Sequence, residues 1–122
     1  MTRFSQVVKR TGEIVPFTPE RITNAIYRAA VEVGGHDRAT ADKLTDQVIA
    51  YLEAHMPSGH IPAVEEIQDV VEKILIENRH AKVAKAYILY RDERARVRQA
   101  KAALAAREQV LVDQHVEREL RR

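Results

Sequence analysis

The most informative absence in this sequence is that of cysteine. Its 122 residues include no cysteine and no tryptophan, and aromatic residues make up only 5%. The lack of cysteine excludes disulfides, thiolate zinc sites, iron–sulfur clusters and cysteine nucleophiles, and it is compatible with a cytoplasmic location. The scarcity of aromatic rings makes a base-stacking nucleic-acid surface unlikely. No apolar run has the length of a membrane span or a signal peptide.

The residues that are present have the composition of one soluble globular domain. Hydrophobic residues account for 45% and charged residues for 31% of the chain, and this length fits one hydrophobic core. The formal net charge is only +2. Five basic residues nevertheless crowd one short segment: Arg91, Arg94, Arg96, Arg98 and Lys101. Such a cluster either attracts a phosphate or forms the solvated face of a helix.

The N-terminal segment predicts a β-hairpin. Residues 6–9 and 13–17 are rich in β-branched side chains, and Gly12 between them supplies a turn residue. Because Pro16 has no backbone N–H, the second strand is an edge strand or ends early. An isolated two-stranded hairpin is only marginally stable in water. We therefore expect it to pack on the rest of the domain.

Four helices are predicted downstream, because apolar residues recur at helical spacing. The first begins with Thr18 as N-cap and Pro19 in the first turn, and ends at the Gly34–Gly35 pair. Its apolar stripe is Ile22, Ala25, Ile26, Ala29, Ala30 and Val33. The others are expected over about residues 40–55, over 64–75, and from 81 onward as one long helix or two in line. The predicted fold class is α+β, mainly α: an N-terminal hairpin lid over a four-helix bundle, with a long C-terminal helical extension.

No catalytic pattern stands out in the sequence. The five histidines do not form an HExxH or other paired-ligand spacing. The adjacent carboxylates Glu65 and Glu66 are explained by the macrodipole at the start of a helix. The four glycines match neither a P-loop nor a dinucleotide-binding turn. The residues alone therefore indicate no catalytic site.

Positive side chains offer another way to hold a phosphate. Lys9 and Arg10 lie at the hairpin turn, Arg21 lies in the first turn of the next helix, and Arg91 and Arg94 lie one turn apart on the last helix. If the hairpin folds over the helices, these groups can converge on a polyphosphate. Apolar residues could then enclose a purine-like ring: Val7, Val15, Phe17, Ile22 and Ile67. Exposed charges and ordinary core packing explain the same residues, so both interpretations stay open here.

Three segments, taken together, resemble the ATP-cone family, the allosteric domain at the N-terminus of many ribonucleotide reductases. They are VVKRTGEIVPF at residues 7–17, TPERI at 18–22, and VEEIQDVVE with AKAYILYR between 64 and 91. The anaerobic and B12-dependent reductases are the most similar types. The resemblance covers about residues 6–95, which implies an ATP-cone domain over 1–95 and a basic helical extension or linker over 96–122.

The resemblance implies that ATP or dATP binds under the hairpin as an allosteric ligand, with Mg²⁺ as a candidate companion of the triphosphate. Lys9, Arg10 and Arg21 would lie near the phosphates, with Arg91 and Arg94 as basic groups from the last helix. Val15, Phe17 and Ile22 would border the adenine. Ile67 and Gln68 would line the base or the sugar. The implied site also includes Val7 and Val8 on the first strand.

The implied function is nucleotide sensing that controls a ribonucleotide reductase through changes in subunit association. The partner is a reductase catalytic core or a second copy of the chain, with no role for a membrane. An alternative is a stand-alone helical protein-interaction or transcription-regulating module of the same type. A repressor of reductase genes is disfavoured, because such proteins carry a four-cysteine zinc ribbon. The sequence departs from the family pattern at Thr11, where Asp is usual, at Val64, where some members have Thr, and at Arg79, where Gly is common.

Overall fold

The computed structural model describes residues 3–120, with side chains up to residue 115. Its elements are β1 (Gln6–Val8), β2 (Ile14–Pro16), α1 (Pro19–Glu32), α2 (Arg38–His55), α3 (Val64–Glu77) and α4 (Ala81–Leu120). The predicted mainly helical α+β fold class is confirmed. The chain divides into two compact units, Met1–Ile88 and Leu89–Arg122.

The two strands form the predicted antiparallel hairpin, with Val7 opposite Val15. Its turn is closed by the Gly12 N–H, which donates to the Lys9 carbonyl at 2.9 Å. Gly12 has a φ of 88°, a left-handed conformation that glycine adopts without steric penalty. The second strand ends at Pro16, as a residue without an N–H predicts.

Helix α1 starts at Pro19 with Thr18 as its N-cap residue, as predicted, but the inclusion of Val33 in its buried stripe is wrong. Thr18 occupies the N-cap position, yet its side chain makes no capping hydrogen bond. Val33, which the apolar stripe includes, is 41% exposed. It is the C-cap residue, with a φ of −107°, so its side chain no longer follows the helical stripe. Helix α2 begins at Arg38 because Asp37 caps it, accepting from the Thr40 N–H.

One hydrophobic core occupies the first compact unit. Its members are Phe4, Ile22, Ile26, Ala29, Ala41, Leu44, Val48, Leu52, Ile67, Val70, Val71, Ile74, Leu75, Ala84 and Tyr87. They come from the N-terminal segment, from α1, α2 and α3, and from the first turns of α4. Val7 and Phe17 of the hairpin region pack against this cluster. The hairpin therefore gains the apolar support that an isolated hairpin lacks.

The second compact unit is helical as far as the structure describes it. Leu104 and Leu111 on this part of α4 are 55% and 61% exposed. Within residues 3–120, no helix combines the length and hydrophobicity that a membrane span requires. The predicted domain boundary at residue 95 stays a prediction, and the last two residues of the predicted extension lie outside the described part.

Candidate functional site

The hairpin turn presents two of the predicted phosphate-binding cations. The Lys9 N–H donates to the Glu13 carbonyl at 2.8 Å and closes the hairpin below the turn. Lys9 Nζ lies 3.7 Å from Glu13 Oε2, and the two side chains are 49% and 64% exposed. This ion pair is long and solvated, so it contributes little to stability. Lys9 is therefore available to an incoming anion.

Arg10 connects the hairpin turn to helix α3. Its Nη1 lies 2.9 Å from Glu65 Oε1, and its Nη2 donates to Gln68 Oε1 at 2.9 Å. Glu65 and Gln68 are three residues apart, so they are neighbours on one face of α3. The structure thus brings together Arg10 and Gln68, two residues that the sequence assigns to one site. Glu65 was assigned only to the helix macrodipole, and its contact with Arg10 was missed.

A backbone contact positions the hairpin beside the start of α3. The Val8 N–H donates to the Pro62 carbonyl at 2.9 Å, and Val8 forms a parallel bridge with Ala63. Ala63 is the N-cap residue of α3 and has no side-chain acceptor; its own N–H donates to Glu66 Oε1 at 3.0 Å. Glu66 therefore fixes the chain at the point where the hairpin joins the helix.

The predicted apolar residues fall on different surfaces. Val7 and Val15 lie opposite each other in the hairpin, and Phe17 follows two residues later, so the three share one face. Because Val7 and Phe17 pack against the core, this is the inner face. Val8 pairs with Ile14 on the opposite face, and Ile14 is 51% exposed. The side chain of Val8 is therefore not grouped with the other three.

Two further residues of the predicted adenine pocket are core residues in this structure. Ile22 on α1 is 8% exposed and Ile67 on α3 is 9% exposed. Both belong to the same buried cluster against which Val7 and Phe17 pack.

The remaining predicted cations are on helices α1 and α4. Arg21 is exposed on the first turn of α1, where its N–H donates to the Thr18 carbonyl at 3.0 Å. Arg91 is half-buried and Arg94 is exposed, and both lie in the second compact unit. Their convergence on the hairpin stays a prediction.

Asp37 and Lys73 have clearly shifted pKa values, and neither residue lies in the hairpin. Hydrogen bonds from the Thr40 hydroxyl and N–H hold the pKa of Asp37 below its ordinary value. The hydrogen bond and the charge of Glu77 raise the pKa of Lys73. Helix capping and a helical ion pair explain both shifts. Among residues 3–115, whose side chains the structure describes, no three His, Asp or Glu side chains are grouped so as to hold a metal ion.

The two cations at the hairpin tip are balanced by two carboxylates in this structure. Lys9 and Arg10 each face a carboxylate, and Gln68 adds a neutral polar group beside Arg10. Guanidinium and ammonium groups bind phosphates through charge-assisted hydrogen bonds. The hairpin tip therefore carries cations of the kind that bind phosphates.

Comparison with known proteins found a family match and several relatives. A family model described as the ATP cone domain matches residues 5–96. The vitamin B12-dependent ribonucleoside-diphosphate reductase of Thermoplasma acidophilum is 40% identical over 108 residues, which cover 84% of this chain and 14% of that protein. The alpha subunit of the ribonucleoside-diphosphate reductase of Chlamydia trachomatis is 35% identical over 119 residues, or 91% of this chain and 11% of that protein.

A third relative is the anaerobic ribonucleoside-triphosphate reductase of Salmonella typhimurium. It is 34% identical over 108 residues, which cover 88% of this chain and 15% of that protein. The chain thus spans between 11% and 15% of the length of these three relatives. The similarity is to one small part of each reductase.

Proposed function

Because the chain belongs to the ATP-cone domain family, we propose that it binds ATP and dATP and thereby controls a ribonucleotide reductase. Domains of this family are allosteric nucleotide-sensing regulatory domains. The relatives are reductases, so the expected partner is a reductase catalytic core or a second copy of the chain. The domain itself is expected to have no catalytic activity.

The observation that best supports the proposal is the position of Arg10 between the hairpin turn and α3. Its contact with Gln68 puts a phosphate-binding cation next to a residue expected at the base or sugar. Lys9 is the adjacent cation and has only a long, solvated contact with Glu13. A triphosphate at the hairpin tip would have both cations within reach, and Mg²⁺ is expected to accompany it.

The rest of the proposed site requires a movement of the hairpin. Val15, Phe17, Ile22 and Ile67 are expected to border the nucleotide, yet Ile22 and Ile67 are almost fully buried. For adenine to reach them, the inner face of the hairpin must move away from the core. Nucleotide binding would thus be coupled to hairpin position, with Arg21, Arg91 and Arg94 as further candidate cations.

Control of the reductase would follow from a population shift. A ligand changes an equilibrium between two conformations only by its differential affinity for them. ATP and dATP differ by one hydroxyl group, so opposing effects require contacts that depend on that hydroxyl. The proposed output is a change in subunit association.

The direct test is titration calorimetry of the folded chain with ATP and with dATP. We expect saturable binding of both, and we expect Lys9→Ala to weaken it about tenfold or more, because a charge-assisted hydrogen bond is lost. Lys43→Ala is the matched control, since Lys43 is an exposed lysine on α2 and should leave affinity unchanged. A well-folded wild-type chain that binds neither nucleotide would refute the proposal.

Scattering measurements of particle size, with ATP and then with dATP, test the proposed output. A size that differs between the two ligands supports control through association. Partner binding that ignores nucleotide would instead favour the helical interaction module, whose best candidate surface is the exposed Leu104 and Leu111 side of α4.

A further inference from the structure

Glu65 pairs with the guanidinium group of Arg10, the group proposed to bind phosphate. Arg10 Nη1 is 2.9 Å from Glu65 Oε1, while Arg10 Nη2 donates to Gln68. Both terminal nitrogens of the guanidinium are thus engaged with α3. We propose that Glu65 is an internal competitor of the nucleotide's phosphates for Arg10, and that it sets the concentration at which nucleotide binds. This inference rests on the proposed function.

The competition follows from the chemistry of the guanidinium group. Carboxylates and phosphates both accept hydrogen bonds from the same N–H edges of arginine, often in pairs. A phosphate that takes the Nη1 edge must displace the Glu65 carboxylate. The carboxylate then stays close to the bound anion, and the like charges repel. Both effects lower affinity, so removing the negative charge of Glu65 should tighten binding.

Solvent exposure limits the size of the effect. The Arg10 and Glu65 side chains are 33% and 41% exposed, and a partly exposed ion pair changes an equilibrium constant by a factor of about two to five. Charge repulsion with the bound anion adds to this, which gives about three- to tenfold overall. Glu13 should have a smaller effect, because its distance from Lys9 is 3.7 Å and both side chains are more exposed.

Glu65→Gln is the test substitution, because glutamine keeps the shape and the acceptor oxygen but removes the charge. Glu77→Gln is the matched control: Glu77 lies on the same helix and forms a 2.9 Å ion pair with Lys73. It lies twelve residues beyond Glu65, or about 18 Å along the helix axis. Both variants change the net charge equally, so a general charge effect would appear in each.

The experiment is calorimetric titration of the full chain with ATP and, separately, with inorganic tripolyphosphate. We expect Glu65→Gln to bind both about three- to tenfold more tightly than wild type, and Glu77→Gln to bind as wild type. Tripolyphosphate has no base or sugar, so a gain with this probe assigns the effect to the phosphates. Binding by Glu65→Gln that is equal to or weaker than wild type overturns the inference and leaves Glu65 a hairpin-docking residue.

The Arg10→Gln variant distinguishes competition for Arg10 from simple charge repulsion between Glu65 and the bound phosphates. In a chain that already carries Arg10→Gln, Glu65→Gln should increase the affinity much less than it does in the wild-type chain, because the guanidinium for which carboxylate and phosphate compete is gone. A gain of undiminished size in that background overturns the inference. If the wild-type chain binds ATP and Glu65→Gln binds it no more tightly, this inference is overturned and the proposed function is not. Absence of binding to every folded variant overturns the proposed function and this inference with it.

Discussion

Replacement of Arg79 by glycine should stabilise the first compact unit. Arg79 follows the C-cap of α3 and has a φ of 62°. Its N–H donates to the Ile76 carbonyl at 3.0 Å, and the His80 N–H donates to the Leu75 carbonyl at 2.9 Å. This pair of bonds is a Schellman motif, which places its central residue in the left-handed region. The chain therefore uses arginine where the backbone geometry favours glycine.

The change in the free energy of unfolding is the difference between two opposing effects. A residue with a Cβ pays roughly 1–2 kcal/mol to adopt the left-handed conformation. Glycine avoids that penalty, but it loses about 0.5–1 kcal/mol more backbone entropy on folding. We expect Arg79→Gly to raise the free energy of unfolding by about 0.5–1 kcal/mol, and Tm by about 2–6 °C for a unit of this size.

Thermal and urea denaturation followed by circular dichroism measures the change. Arg79→Ala separates the loss of the side chain from the gain in backbone freedom, and it should differ little from wild type. Gly34→Ala is the inverse control: Gly34 has a φ of 90° after α1, and an added Cβ would meet no atom within 4 Å. It should lose about 1 kcal/mol from strain alone. An Arg79→Gly variant no more stable than Arg79→Ala would refute the reasoning.

Two further predictions concern helices α1 and α2. The Thr45 hydroxyl donates to the Ala41 carbonyl at 2.9 Å, so it must accept from the Thr23 hydroxyl at 2.7 Å. Thr45→Val leaves the buried Thr23 hydroxyl unpaired and should therefore destabilise the chain by about 1 kcal/mol more than Thr23→Val. Urea denaturation measures both losses, and equal losses would contradict this hydrogen-bond direction. Hydrogen bonds from Thr40 lower the pKa of Asp37 from its ordinary value of 3.8. The ionised Asp37 carboxylate therefore stabilises the folded chain at pH values above 3.8, and this stabilisation is lost as the pH falls through the lower pKa of the folded state. Asp37→Asn should remove this part of the acid dependence, measured as unfolding free energy against pH, and an unchanged pH profile would contradict it.

The helices could be predicted because their signals are local. Apolar residues at helical spacing identify the buried face of each helix, and Pro19 and the Gly34–Gly35 pair mark the ends of α1. Helix α2 begins at Arg38, two residues before the predicted start near residue 40, because Asp37 is its N-cap. An Asp three residues before Thr40 is a recognisable capping signal.

Phe4 shows what a periodic pattern does not detect. It is 6% exposed, and its ring centroid lies 6.1 Å from that of Phe17. No strand or helix contains Phe4, so neither a period of two nor one of 3.6 identifies it as buried. Its burial depends on where the hairpin docks, and that is a tertiary property.

The candidate site was predictable as a set of residues but not as a set of contacts. Arg10 and Gln68 are 58 positions apart in sequence, and only the family resemblance placed them together. The ion pair with Glu65 depends on the hairpin being held at the start of α3 by the Val8–Pro62 bond. Local sequence rules gave Glu65 a helix-terminal role, which its position satisfies, and contained no signal for its partner.

The contacts of Arg10 also limit what the hairpin tip can discriminate. ATP and dATP carry the same triphosphate, so a phosphate that displaces Glu65 does so equally for both nucleotides. Glu65→Gln should therefore change the two affinities by the same factor and leave their ratio unaltered. Discrimination has to arise at the sugar, where Gln68 is the expected neighbour.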